Sequence, residues 1–236
     1  EWRQLLTELP AKCACTLITT TLPEHVKRGI GTDLPNARLL TAKGLHTNRA
    51  GISLRLVDCD TLQDRYNQKM SPAQLSELTF PRRLEVLCEA ISLNPELCTL
   101  VLCGSIATCD RLTLALRERL PMMDILTLHA GVRAASRTQA LEDFRQPAEP
   151  SSRGERRRVL AATHQAVVGL DMPSAEHIAL FDFARDGTEY IRGVGCAARG
   201  DRAAGRVTLL THGRQLGFAR ALLALDEAGK AVNVER

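Results

Sequence analysis

Three apolar runs between Arg158 and Thr211 constrain the fold of this chain most. They are Val159–Ala162, His177–Phe181 and Arg206–Leu210, each only four or five residues long. Runs of that length, bounded by polar or Gly-bearing segments, read as buried β-strands and are too short for a buried helix. Two longer polar segments separate or follow them, Thr163–Pro173 and Tyr190–Gly200. In an open α/β sheet, ligands bind beyond the carboxyl ends of the strands, and both segments fall at such ends.

The pattern around these runs extends the α/β reading. Thr99–Cys103 and Ile125–Leu128 are further short apolar runs. Between them lie helical periodicities at Arg83–Ile91 (apolar at 84, 87, 88 and 91), Ala107–Leu120, Ala134–Phe144 and Arg214–Leu225. Strands alternating with helices predict a mostly parallel sheet covered on both faces. Upstream, Trp2–Leu9 reads as a short helix and Cys13–Thr19 as a β-prone run. Pro23–Lys27 opens a helix with Pro near its first turn, and Arg38–Thr41 and Ile52–Asp58 read as strands. Cys59–Phe80 is polar and weakly patterned, the mark of an irregular connection, and Gln146–Glu155 reads as a surface loop.

Composition narrows the class. The 236 residues are 44% hydrophobic but only 3% aromatic, so aliphatic side chains must fill the core. A net charge of +4 is weak evidence for a nucleic-acid partner. Distribution says more: Ser151–Arg158 carries four arginines against one acid, and Arg185–Arg220 seven against three. The eight cysteines form no Cys-x-x-Cys pair, which favours reduced, mostly buried thiols in a reducing intracellular compartment and no metal. No run is long enough to span a membrane, and no signal peptide is visible. The chain begins at Glu1, the expectation for a processed or partial chain; an Arg/Ala/Leu-rich character is compatible with the mitochondrial matrix.

The order of segments resembles the DEAD-box RNA helicases over about residues 1 to 225. The best piece is Ala162-Thr163, then Gly169-Leu170-Asp171, Pro173, His177 and Asp182. The family has there a strand, Ala-Thr-Asp, Arg-Gly-Leu-Asp, Pro, and an apolar strand with His and Asp. Thr99–Cys103 resembles the family's fourth motif. Leu128-His129-Ala130-Gly131 with Arg137, Leu141 and Phe144 resembles the segment after it. Thr19-Thr20-Thr21-Leu22-Pro23 stands where the family has Ser-Ala-Thr-Leu-Pro. Tyr190–Gly200 stands where it has Tyr-Ile-His-Arg-Ile-Gly-Arg-Thr-Gly-Arg.

The resemblance implies a RecA-like parallel sheet flanked by helices at 82–225, preceded by the end of a first RecA-like domain at 1–58, a linker at 59–81, and a tail at 226–236. It implies RNA-backbone contacts at Thr163, Arg137, Gly131, Thr21 and Ser105. It also implies nucleotide contacts at Gly169, Asp171 and Arg199, with Arg199 the catalytic finger. Bland readings stand beside these: Thr163 as a helix cap, Arg137 as a solvated helix arginine, and His129 and His177 as packing residues. His164, at the edge of the site, is a candidate phosphate contact.

Departures from the family pattern are as informative. No Gly-x-x-x-x-Gly-Lys-Ser/Thr and no Asp-Glu-Ala-Asp occurs, so ATP and Mg²⁺ could be held only with a complete first domain. Where the family has two arginine fingers, this chain has Cys196 and Arg199; the preceding His-Arg is Arg192-Gly193, and His164 and Val168 replace an Asp and an Arg. The expectation is an RNA-binding helicase-like protein with weakened or lost ATPase, used in ribonucleoprotein assembly, ribosomal RNA and assembly proteins being its partners. The alternatives are an active helicase whose P-loop lies outside this chain, and a structural protein-interaction module. Gly193-Val194-Gly195-Cys196-Ala197-Ala198 fits a dinucleotide fingerprint, but a helical segment precedes it and no acid follows at the required distance. Cys196 has no assignable base and so no basis as a nucleophile.

Overall fold

A computed structural model describes residues 4, 8, 13–48, 51–60, 70–93, 98–146, 150–151, 154–155, 157–170, 172, 175–197 and 205–234. Its elements in chain order are α1 (Glu24–Asp33), β1 (Ile52–Asp58), α2 (Pro72–Leu93), β2 (Cys98–Cys103), α3 (Ile106–Arg119), β3 (Asp124–Leu128) and α4 (Ala134–Arg145). A short hairpin of β4 (Pro150–Ser151) and β5 (Gly154–Glu155) follows. The last elements are β6 (Arg158–Thr163), β7 (His177–Leu180), α5 (Gly187–Val194), β8 (Gly205–Thr211) and α6 (Gln215–Glu227).

Six strands form one sheet in the order β1-β8-β7-β2-β6-β3, and every pairing is parallel. This is the α/β parallel sheet flanked by helices that the alternation of strands and helices predicts. The central strands β2 and β7 are buried at every position, which is why they read as continuous apolar runs. Period-two alternation divides their side chains into two layers. Leu100, Leu102, Leu160, Ala162, Ile178, Leu180, Val207 and Leu209 pack with Phe144 of α4, with Tyr190, Ile191 and Val194 of α5, and with Ala219 and Leu222 of α6. Val101, Cys103, Val159, Ala161, Ala179, Phe181 and Leu210 pack on the other face with Leu84, Leu87 and Ile91 of α2 and Leu112 and Leu116 of α3.

The structure departs from expectation upstream. Ile52–Asp58, expected with a preceding unit ending at residue 58, is an edge strand of this same sheet, in register with Gly205–Thr211 along its whole length. The expected connection 59–81 is partly helix: α2 begins at Pro72 and runs through Pro81. Ser71 and Gln74 form a capping box, Gln74 N–H donating to Ser71 Oγ (3.3 Å) and Ser71 N–H to Gln74 Oε1 (2.9 Å), with Pro72 at the first helical position. Pro81 lacks the N–H that an interior helical position uses. The helix persists because Phe80, Arg83, Leu84, Leu87 and Ile91 bury its inner face.

Cys13–Thr19 and Arg38–Thr41 form no strand and are exposed, since their backbones have no place on the sheet, whose edges are β1 and β3. The expected helix Trp2–Leu9 lies outside the described residues except for Gln4 and Glu8. The 226–236 segment is not a loose tail: α6 continues to Glu227, and Val232 and Val234 are buried. All eight cysteines are free thiols, five of them buried, and burial pushes the Cys59 thiol up to about 11.

Two buried polar groups tie the layers together. Arg83 is fully buried on α2. Its guanidinium bonds Asp182 Oδ1 (2.5 Å), the Phe181 carbonyl (3.0 Å), and the carbonyl and Oγ of Ser76 (both 2.8 Å), and it lies over the Phe181 ring at 4.6 Å. The second Asp182 oxygen accepts the N–H of Gly104 at 2.7 Å, fixing the loop after β2. His177, also fully buried, bridges three strands: Nδ1 faces Thr99 Oγ1 at 3.3 Å and Nε2 faces Thr208 Oγ1 at 2.9 Å. Burial, reinforced by Arg206 and Arg157, lowers its pKa to about 4.

Two predictions follow from these groups. Arg83→Met leaves the Asp182 carboxylate without its cation and is expected to cost about 3 kcal/mol in urea denaturation. The Arg83→Met/Asp182→Leu double variant is expected to recover part of that loss; a loss below about 1 kcal/mol in the single variant contradicts the bridge. His177 is neutral in the folded state and binds protons more readily when unfolded. Its contribution is therefore full above pH 6.5 and is lost as pH falls toward 4, by an amount on the order of 3 kcal/mol. Thermal melts between pH 7 and pH 4 should show His177→Gln with a visibly shallower fall in Tm than the unmodified chain; parallel falls would exclude this assignment.

Candidate functional site

A cleft of about 550 Å³ opens at the carboxyl ends of β2, β3, β6 and β7. Its walls come from the three loops that follow β2, β3 and β6 and from the first turn of α5. Ser105, Arg137 and Thr163, separated by up to 58 positions in the chain, line it together. His129, Thr138, His164, Gln165, Arg185 and Glu189 are its other polar lining residues among those described.

Each side chain is placed by a local cause. Ser105 is the N-cap of α3, its Oγ accepting the Thr108 N–H at 3.0 Å. Thr163 ends β6, and its hydroxyl has no partner among the described residues, so the cap reading for it fails. Arg137, on the first turns of α4, is half-buried, and its guanidinium is unpaired among the described residues. Gly131, in the turn after β3, is not among the lining residues; it donates its N–H to His129 Nδ1 at 3.2 Å. His129 Nε2 in turn meets Asp110 Oδ1 of α3 at 2.9 Å. His129 is thus a strut between the β3–α4 turn and α3, as its bland reading supposed. His164 is buried with Nε2 at 3.3 Å from the Asp182 carbonyl.

Glu189 pairs with Arg185, whose guanidinium donates to Glu189 Oε1 at 2.8 Å and whose N–H donates to Oε2 at 2.8 Å. Burial opposes the Glu189 charge, but these bonds and the neighbouring His164 hold its carboxyl below the usual carboxylate range. With that pair internally neutral, Arg137 is, among the described residues, the arginine of the cleft left to meet an anion. Together with the accessible hydroxyl groups it suits a phosphodiester backbone and reads no base edge.

Thr21 is not part of this cleft. It lines a second one, of about 500 Å³, between α1 and α5, with Thr19, Pro23, His25, Val26, Asp186, Thr188, Arg192 and Val234. Thr21 is almost fully buried, and its Oγ1 has no partner among the described residues. Gly169 closes the turn after β6 at φ +76°, a conformation costing any other residue on the order of 1 kcal/mol. Nothing lies within 4 Å of the Cβ it lacks, so this glycine serves the turn. Asp171 and Arg199 lie outside the described residues.

The position of the other expected finger is visible. Cys196 is buried in the core, its thiol donating to the Arg192 carbonyl at 3.3 Å. It brings no charge toward a phosphoryl group, so the described residues do not fit a complete nucleotide site. Among the described residues no cluster of His, Cys, Asp and Glu could hold a metal, and no helix is long and apolar enough to cross a membrane. Sequence reasoning missed Arg83, Arg185 and Glu189. The Asp186-x-x-Glu189 spacing of a helix start was the available signal for the last two.

Known proteins carry the same architecture. Residues 82–201 match the model of the helicase conserved C-terminal domain. DEAD-box ATP-dependent RNA helicase 50 of Arabidopsis thaliana is 28% identical over 98% of this chain, which covers 29% of that protein. The protein of the same name from Oryza sativa is 27% identical over 96% of the chain, covering 34% of its own length, so this chain spans about a third of the relatives it matches. Saccharomyces cerevisiae Dbp5, solved bound to RNA and ADP BeF3, superposes with a TM-score of 0.74 at 17% identity, over 99% of this chain and 54% of that one. Domain 2 of the Mss116p DEAD-box helicase, solved bound to an RNA duplex, gives a TM-score of 0.54 at 14% identity over 78% of this chain and 62% of that one, a likeness of fold. The chain belongs to the DEAD-box RNA helicase family, of which it carries the conserved C-terminal domain.

Proposed function

We propose that this protein is an RNA clamp, a DEAD-box helicase relative with weakened or lost ATPase that holds RNA during ribonucleoprotein assembly. The observation that carries the reading is the fate of the finger position. A thiol at Cys196, buried and bonded to the Arg192 carbonyl, stands where charge on a transferring phosphoryl group would have to be met. Loss of one finger alone costs roughly 10³-fold or more in turnover. The RNA-facing cleft keeps its chemistry. Arg137 meets a phosphate, while the Thr163 hydroxyl and the loop at Gly104–Ser105 offer hydrogen bonds to phosphate oxygens or 2′-hydroxyls. Such contacts give little base preference, as a placeholder on RNA requires. Ribosomal RNA and its assembly proteins as partners rest on family analogy. The free, largely buried cysteines support a reducing compartment, with the mitochondrial matrix as the proposed setting.

A second reading has a specific support. This chain spans only about a third of its curated relatives, so a P-loop domain elsewhere in the protein would make an active helicase. RNA-stimulated ATP hydrolysis by the intact native protein separates the two. The clamp reading expects turnover at background, and robust stimulation favours the helicase. Binding of a labelled single-stranded RNA to this chain should weaken about tenfold in Arg137→Ala, with the salt slope shallower by about one. An unchanged affinity and slope, with no crosslink to RNA at Arg137, would favour a protein-interaction module.

A further inference from the structure

Val234, from the segment after α6, lines the second cleft. His46 is the only described non-glycine residue with a left-handed backbone, at φ +61°. All its polar groups but one ring nitrogen are used. Its N–H donates to the Thr20 carbonyl (3.2 Å), its Nε2 accepts the Leu22 N–H (2.8 Å), and its carbonyl accepts the Val232 N–H (2.8 Å). Asn48, two residues on, donates from Nδ2 to Asp226 Oδ2 at 2.6 Å, and the same oxygen accepts the Tyr190 hydroxyl at 2.5 Å. Three distant segments therefore meet on one carboxylate: the N-terminal segment, α5, and the end of α6.

The residues after α6 lie directly on α5. Val232 and Val234 are buried, and the Thr188 hydroxyl donates to the Val234 carbonyl at 3.4 Å. Gly187 admits this approach: a Cβ there would stand 2.1 Å from the Asn233 carbonyl oxygen. In contrast, α1 buries none of its residues. A helix of ten residues without a buried face is marginal by itself. Its placement therefore depends on the chain around His46.

We propose that Ala228–Val234 is a clasp that fixes the N-terminal segment Thr19–Asn48 against α5 without any nucleotide. The Val232 N–H closes it by donating to the His46 carbonyl; Asn48 donates to Asp226 at the end of α6, and α5 donates to the Asp226 and Val234 oxygens. None of these groups belongs to the positions expected to contact ATP. The clasp sets Thr21, Arg192 and the walls of the second cleft in one arrangement, and release of Ala228–Val234 is the step that would open it. This inference does not rest on RNA being the ligand.

Amide hydrogen exchange by mass spectrometry on the full chain tests it, using His46→Gly and a chain ending at Ala228. His46→Gly keeps the left-handed backbone at no cost but removes the acceptor for Leu22. Peptides covering Thr20–Asp33 are expected to exchange about tenfold faster in both variants, while β2, β6 and β7 keep their protection. Addition of a non-hydrolysable ATP analogue with Mg²⁺ should leave the unmodified chain's pattern unchanged. Unaltered protection of Thr20–Asp33 in both variants, or protection that appears only with the analogue, overturns the clasp. Should the shortened chain lose protection in the central strands too, His46→Gly decides alone. Loss of RNA binding in the Arg137 experiment would leave these outcomes untouched.

Discussion

The buried contact between Arg83 and Asp182 is the interaction on which the rest of the structure depends. A guanidinium withdrawn from water is costly, and a buried ion pair seldom stabilises more than an apolar pair of the same shape. Its value here lies in direction. One Asp182 oxygen takes Arg83 and the other takes the Gly104 N–H, so α2, the end of β7 and the loop after β2 are set at fixed distances. Gly104 and Ser105 are walls of the cleft, and His164 rests on the Asp182 carbonyl. The same bridge that joins a helix to the sheet thus shapes two sides of the cleft.

A parallel sheet makes the rest of the site almost obligatory. Because every strand points the same way, the loops after β2, β3 and β6 emerge on one edge and bring Ser105, Arg137 and Thr163 together. His177, at the opposite ends of the strands, is kept neutral by burial and joins three of them. Function and sheet cohesion therefore occupy opposite edges. His129 illustrates the division within the site itself, since it faces the cleft yet spends both ring nitrogens on Gly131 and Asp110.

Much of this was legible in the sequence, for a physical reason. Strands buried on both faces must be continuously apolar, so Cys98–Cys103 and Arg158–Thr163 announce themselves. Ser105, Arg137 and Thr163 were singled out by the family resemblance and not by residue type, since a hydroxyl at a strand end or an arginine on a helix also fits a cap or a solvated face. What was not legible depends on contacts across the chain. The alternation of Ile52–Asp58 shows an edge strand but not which sheet it borders. β-propensity alone made Cys13–Thr19 and Arg38–Thr41 look like strands, although no neighbour accepts their backbones. Pro81 reads as a boundary, while the true start of α2 lay in the capping box at Ser71 and Gln74. Arg83 stands outside the apolar positions of its helix, and only the tertiary structure reveals the Asp182 carboxylate that it pairs with. His46 gives no signal at all.

Arg137 lines the cleft at the strand ends, while Cys196 is buried in the core. A clamp of the kind proposed holds RNA without help from a nucleotide. The most direct measurement is the affinity of the intact native protein for single-stranded RNA, with and without ATP and Mg²⁺ at fixed ionic strength. The account predicts affinities that agree within about a factor of two. A tightening of about tenfold or more on addition of ATP and Mg²⁺ would contradict it.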